Sequence, residues 1–412
     1  MPNHQFLHGE QEVSPYIRAM EARPPVSFED TSCAFAYRND AELKRAHFIF
    51  SVVNHPWVAA MATGVVKTGL ALRLPVEGII RKTVFDHFCA GEDKSQAEEV
   101  INRLATYHVR AILDYAVEGE HTEQGFEQTT EETLCNLETA AQSANIPFCV
   151  FKPTGIASAD LLEKVQQGVV LTVEEEKAYA RVKERFDRIC RKAHELDIPV
   201  MVDAEDSWYQ DVVDRLVLEM MKKYNTQRAI VYNTYQLYRT AGLSNLRNHF
   251  HEAVMHNIFF GAKLVRGAYM EKERERAARL GYPDPIHPNK EATDNAFNSA
   301  LAFCVDNKQR VSLVCGSHNE YSNYYLTVLM EKHGLAASDG RVWFAQLYGM
   351  SDHISFNLAR CGYNVVKYLP YGPVRKVMPY LFRRAEENTS VAGQSSRELL
   401  LIKAELKRRR SS

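Results

Sequence analysis

A short apolar run rich in β-forming residues, closed by polar residues and followed by a helical stretch, recurs eight times from about residue 105 onward. The runs are residues 109–115, 147–152, 199–204, 228–235, 260–268, 311–318, 342–348 and 363–368. Strands alternating with helices in this way specify βαβ units and therefore a parallel sheet. Eight such units is the number that closes a (β/α)8 barrel. The competing arrangement, an open doubly wound sheet, usually carries a Gly-rich phosphate turn after its first strand. Neither G-x-G-x-x-G nor G-x-x-x-x-G-K-[ST] occurs in the chain, which favours the barrel.

The pattern divides the chain into a mainly helical region (1–104), the barrel (105–394) and a last helix with a basic tail (395–412). The connection between the second and third runs is long, about 156–197. It contains Thr172-Val173-Glu174-Glu175, a capping-box pattern, ahead of a long charged helix. Residues 57–72 are largely apolar, but 16 residues including Lys67 fall short of the roughly 20 needed to span a bilayer. They read as a packed helix. The tail Lys407-Arg408-Arg409-Arg410 reads as solvated, with docking at an acidic membrane surface as the second reading.

Composition narrows the class. The 412 residues are 45% hydrophobic and 25% charged with a net charge of −2, a soluble globular balance that gives no support for nucleic acid as the main partner. The eight cysteines show no C-x-x-C and no metal-ligand spacing, as expected of reduced thiols in the cytoplasm. Met1-Pro2-Asn3-His4-Gln5 lacks the basic-then-apolar order of a signal peptide, and Glu10 and Glu12 argue against a transit peptide.

A barrel carries its active site at the C-terminal ends of its strands. Those ends supply Asp114 and Glu118, Lys152, Asp203 and Glu205, Asn233 and Gln236, Lys263 and Arg266, His318 and Asn319, Gln346 and Tyr368. Lys152 closes an apolar run, where a charge is costly unless it meets a polar cavity or a partner. A Lys152–Asp203 pair across adjacent strand ends would keep both ionised. After the last run, Tyr380, Arg383, Arg384 and Glu387 share one helix face. Two adjacent arginines there can grip a small anion, and Arg suits bidentate carboxylate binding. These residues specify a cationic, partly aromatic cavity for a small carboxylate, a phosphate-bearing cofactor, or both. They do not name the reaction.

Lys263-Leu264-Val265-Arg266-Gly267-Ala268-Tyr269, Phe151-Lys152-Pro153-Thr154-Gly155, Val202-Asp203-Ala204-Glu205 and Tyr380-x-x-Arg383-Arg384-x-x-Glu387-Asn388 together resemble the proline dehydrogenase family. The resemblance runs in order over about residues 105–390. It implies a distorted barrel that binds FAD without a Rossmann fingerprint. It also implies oxidation of L-proline to Δ1-pyrroline-5-carboxylate by hydride transfer from C5 to flavin N5, with electrons passed to a quinone. The form implied is monofunctional, and the basic tail is compatible with peripheral contact at the inner face of a membrane. Carried over by residue, Lys152, Arg383 and Arg384 would bind the substrate carboxylate. Tyr368, Tyr380, Leu264 and Leu347 would shape the ring pocket, with Asp203 beside Lys152 and Glu118 paired to Arg383. Asn233, Lys263, Val265, Arg266, Gly267, Ala268, His318 and Glu387 would hold the flavin. Some members have Gln where Asn233 stands and Trp where Met270 stands. No metal is implied.

Two other readings use the same residues. One is a Schiff-base lyase with Lys152 or Lys263 as the imine-forming amine. The other is a non-catalytic metabolite-sensing barrel. The first accounts for the lysines but not for the Tyr380/Arg383/Arg384/Glu387 face, and the second predicts no turnover with artificial electron acceptors.

Overall fold

The structure, a computed structural model, describes residues 26–53, 77–116, 121–390 and 394–411. The N-terminal residues 1–25, the apolar stretch 57–72 and Glu118 lie outside them.

Eight parallel strands form one sheet: β1 (Val109–Tyr115), β2 (Cys149–Phe151), β3 (Val200–Val202), β4 (Val231–Gln236), β5 (Phe260–Val265), β6 (Val311–Gly316), β7 (Val342–Leu347) and β8 (Val365–Tyr371). The ladder runs β1-β8-β7-β6-β5-β4-β3-β2. At the seam between β1 and β2, the Ala111 N–H donates to the Asn145 carbonyl at 2.9 Å, so the barrel is nearly closed.

Period-two alternation sorts the strand residues. Ile112, Val150, Met201, Tyr232, Val314, Ala345 and Val366 pack together inside the barrel. Ala111, Leu113, Val202, Ala262, Leu264 and Phe344 face outward into the core shared with the helices. Burying each large aliphatic side chain contributes about 1.5–3 kcal/mol. The long connection after β2 holds the helices Ala159–Gln166 and Val173–Glu195. The second opens with the expected capping box, Thr172 Oγ1 accepting from Glu175 N and Glu175 accepting from Thr172 N.

Only β1 keeps the bounds read from the pattern, and three of the shifts in the other strands bear on the site. β2 and β3 are shorter, because Lys152 caps the helix Pro153–Ile156 and Asp203 turns into the mouth. β8 runs on to Tyr371, so Tyr368 stands inside the strand rather than at its end. Pro370 offers no N–H to the ladder there, and its carbonyl accepts from Ala90 N at 2.8 Å.

The ends of the chain pack on each other. Leu399, Leu401 and Ile402 of the helix Gln394–Ser411 bury against Ala34, Phe35, Leu43, Ala46 and Phe50. Arg409 of the basic run donates to the carbonyls of Phe35 and Arg38 at 2.9 and 3.0 Å and to Asp40 and the buried Glu405. Part of the basic tail therefore staples the two ends together and is not a free solvated patch.

Candidate active site

At the C-terminal mouth of the barrel lies a cavity of about 590 Å³. Its deep end is built from an alternating chain of charges. Asp114, which faces inward near the end of β1, accepts from Lys152 Nζ with both oxygens, at 2.9 and 3.1 Å. Lys152 also lies 3.4 Å from one oxygen of Asp203. The other Asp203 oxygen pairs with Lys263 of β5, and Lys263 donates to the Tyr368 phenol oxygen at 2.8 Å. Tyr368 in turn donates to Met201 Sδ at 3.6 Å. Burial pushes the Asp203 carboxyl up, but the charges of Lys263 and Lys152 outweigh it and hold it below the usual aspartate range. Burial, and then the charge of Asp203, keeps the Tyr368 phenol protonated well past its ordinary range.

The helix Val374–Ser390 brings Tyr380, Arg383 and Arg384 to the same cavity. The Arg384 guanidinium sits 5.3 Å from the centre of the Tyr380 ring, one helical turn before it. Arg383 sits 5.8 Å from the centre of Tyr269. Such contacts orient the planar guanidinium without consuming its donors. The six groups Asp114, Lys152, Asp203, Lys263, Arg383 and Arg384 include four cations and two carboxylates, a field that attracts a small anion.

The cavity extends over the ends of β5, β6 and β7. Arg266 is fixed by Asp294 at 2.7 Å and by Ser317 and Ser322 at 2.9 Å each. Val265, Gly267, Ala268, His318 and Leu347 also line the wall. Gly267 has φ +137°, and a Cβ there would lie 2.4 Å from the Tyr238 ring, so only glycine fits this turn. His318 Nδ1 is 2.9 Å from Ser351 Oγ. Burial, aided by the charges of Lys367 and Arg384, lowers His318 to about 3, which makes it a neutral imidazole.

Two residues of the sequence reading face elsewhere. Leu264 is fully buried in the helix-side core, because it alternates with the inward-facing Lys263 and Val265. Asn233 points outward in the same way, donating to Asp214 at 2.9 Å, while Thr234 and Gln236 face the cavity. Glu205 accepts from Thr154 N and Oγ1 at 2.9 and 2.6 Å, buttressing the loop after β2. The Glu387 side chain lies outside the described residues. Asp114, Gln236 and Gln346, named among the strand ends, do line the wall. Tyr269 stood in the quoted motif without a role. Lys290, Glu320, His353 and Arg397 carried no sequence signal, since they reach the wall from helices beyond the strand ends.

The wall suits a dinucleotide flavin. Gln236 Oε1 and His353 Nδ1 are buried with no hydrogen-bond partner among the described residues, and an isoalloxazine edge offers both donors and acceptors. Arg266, Lys290 and Arg397 supply charge for a pyrophosphate along the outer part of the same cavity.

Comparison with known proteins places the chain in a family. The family described as Proline dehydrogenase matches residues 97–397. A carbapenem antibiotics biosynthesis protein, CarD, of Pectobacterium carotovorum subsp. carotovorum is 35% identical over 333 residues, covering 81% of this chain and 86% of that protein. Human mitochondrial proline dehydrogenase 1 is 43% identical over 241 residues, 58% of this chain and 40% of the human one. The Drosophila melanogaster enzyme is 40% identical over 57% of this chain and 36% of its own length, so the chain spans well under half of these two relatives. The proline utilization A structure from Bdellovibrio bacteriovorus, inactivated by N-propargylglycine, shares the fold with a TM-score of 0.68 at 18% identity, over 92% of this chain and 40% of that one. The chain belongs to the proline dehydrogenase family.

Proposed function

We propose that the chain oxidises L-proline to Δ1-pyrroline-5-carboxylate, the first step of proline catabolism, with FAD as its cofactor and a quinone as the final acceptor. The observation that carries this reading is the convergence of Lys152, Arg383 and Arg384 with Tyr368, Tyr380 and Leu347 on one cavity. Three cations suit a carboxylate, and two phenols with a leucine suit a small saturated ring.

Each residue then has a task. Lys152, Arg383 and Arg384 would anchor the carboxylate, which fixes the carbon of the ring presented to the cofactor. Tyr368, held by Lys263, and Tyr380 would pack the ring and exclude water from it. Holding reactants in a near-attack geometry supplies much of the rate enhancement in a reaction of this kind. Asp203 keeps two ammonium groups in place beside the substrate. No strong general base is needed if the substrate amine is neutral when the C5–H bond breaks. When bound, the flavin supplies the electron-accepting chemistry. Gln236, Arg266 and His318 are the groups that would hold it. The Schiff-base reading is less well supported, since Lys152 and Lys263 both sit in ion pairs with carboxylates, an arrangement suited to charge and not to nucleophilic attack.

Among the described residues no helix is long and apolar enough to cross a membrane. The test is turnover with an artificial electron acceptor. L-Proline should be oxidised, and pyrrolidine, which lacks the carboxylate, should be a poor substrate. Equal rates with both would remove the cationic clamp from the account.

A further inference from the structure

Of two adjacent residues of the helix Gln394–Ser411, one lines the cavity and the other is buried beside its wall. Arg397 lines the wall and donates to Glu320 at 2.9 Å. Glu320, in the first turn of the helix after β6, also meets His353 Nε2 at 3.0 Å. Glu398 is buried and accepts the backbone N–H of Ser351 at 2.9 Å. Ser351 is the residue whose hydroxyl meets His318 Nδ1.

The Ser351 backbone is unusual. It holds φ 52° and ψ 41°, a left-handed conformation that a non-glycine residue adopts seldom and keeps only where its surroundings impose it. Just before it, Gly349 has φ +79°, and a Cβ there would lie 2.3 Å from the His87 carbonyl oxygen. From the barrel side, the buried Lys367 ammonium contacts the carbonyls of Leu347 and Met350, and it pairs with Asp352 at 3.0 Å. Arg38 pairs with the same Asp352 at 2.9 Å. The loop after β7 is thus gripped by the barrel on one side and by Glu398 on the other. Arg397 reaches Glu320 on the cavity wall and, away from it, Glu29, while Glu398 reaches Ser351, whose hydroxyl meets the wall residue His318.

We propose that Glu398 is a positioning residue: the last helix clamps the loop after β7, and through Ser351 it fixes the ring of His318. The clamp rests on the proposed function only for its consequence, the affinity for the flavin. An ordinary helix-packing salt bridge would stabilise the chain without changing the environment of His318.

The test uses the full chain with Glu398→Met and Glu398→Gln. Three signals are read: hydrogen exchange in the segment containing the Ser351 amide, the ¹⁵N imidazole signals of His318 assigned with His318→Asn, and the dissociation constant for added FAD. Methionine removes the acceptor, so the Ser351 amide should exchange about tenfold faster or more, the His318 signals should move, and FAD should bind roughly 10- to 100-fold more weakly. Glutamine keeps an oxygen for the Ser351 N–H and should restore all three. Should Glu398→Met fail to fold, Glu398→Asp, one methylene short of the contact, is read in its place. A folded variant with unchanged Ser351 exchange and unchanged His318 signals overturns the proposal. If the wild type takes up no flavin, the proposed function falls, while the exchange and imidazole signals still decide the clamp.

Discussion

Replacing Asp203 with asparagine removes the negative charge between two ammonium groups. Lys152 Nζ lies 3.4 Å from one carboxylate oxygen and Lys263 contacts the other. At an effective dielectric of about 20, unit charges at that distance attract by roughly 5 kcal/mol. Desolvation of the three groups offsets much of that attraction in the wild type. The mutation does not recover the desolvation, because the lysines stay where they are. Losing one partner of a buried pair typically costs ~3–5 kcal/mol. Lys152 retains Asp114 at 2.9 Å, so the damage falls mainly on Lys263, and the expected loss is near the lower end, about 3 kcal/mol. Urea unfolding of the two proteins measures it. The dependence on pH adds a second check. The folded-state pKa of Asp203 lies below its ordinary 3.8, so its stabilisation is present above that value and is lost as pH falls through the folded one. The gap between wild type and variant should be flat from about pH 5 to 8 and narrow below about 4. A variant within about 0.5 kcal/mol of wild type at neutral pH, or a gap that does not close in acid, would refute the reasoning.

Three further outcomes are expected. Arg383→Met should stay folded and lower kcat/KM for L-proline by about 30-fold or more, since one partner of a desolvated charge pair is worth roughly 2–5 kcal/mol; unchanged kinetics in a folded variant would remove Arg383 from the site. With Tyr368 beside the substrate ring, as proposed, its phenol would occupy the space a ring hydroxyl needs, so L-proline should be preferred to trans-4-hydroxy-L-proline. Tyr368→Ser should narrow that preference by about 1–3 kcal/mol, and an unchanged kcat/KM ratio would mean that the phenol does not face the substrate. Burial pushes Glu398 up from 4.5 to about 7, so the folded chain holds a proton that the unfolded chain releases, and stability declines between those two values as pH rises. Glu398→Gln should abolish that decline and gain on wild type from pH 5 to 7, whereas parallel urea midpoints across the range would contradict the shift.

The eight strands were legible because each apolar run is bounded by polar residues and followed by a helical period. The cationic cavity was legible because strand ends converge in a barrel. What motif matching obscured was parity. In Lys263-Leu264-Val265 the outer two residues face inward and Leu264 faces the helices, while Asn233 gives way to Thr234 and Gln236. Alternation alone decides both cases. The last helix was legible but what it packs on was not, because its partners, Thr31, Arg38, Glu320 and Ser351, are far away in sequence. No local pattern announces that Arg409 will cap carbonyls of the first helices or that Glu398 will reach a loop after β7.

The central claim, a flavin cavity that oxidises proline, is tested most directly by the visible absorbance of the purified protein without oxygen or quinone. The protein should carry the flavin band, and L-proline should bleach it. A flavin-loaded sample that stays oxidised in excess L-proline would contradict the account, as would borohydride trapping of a substrate imine on Lys152 or Lys263.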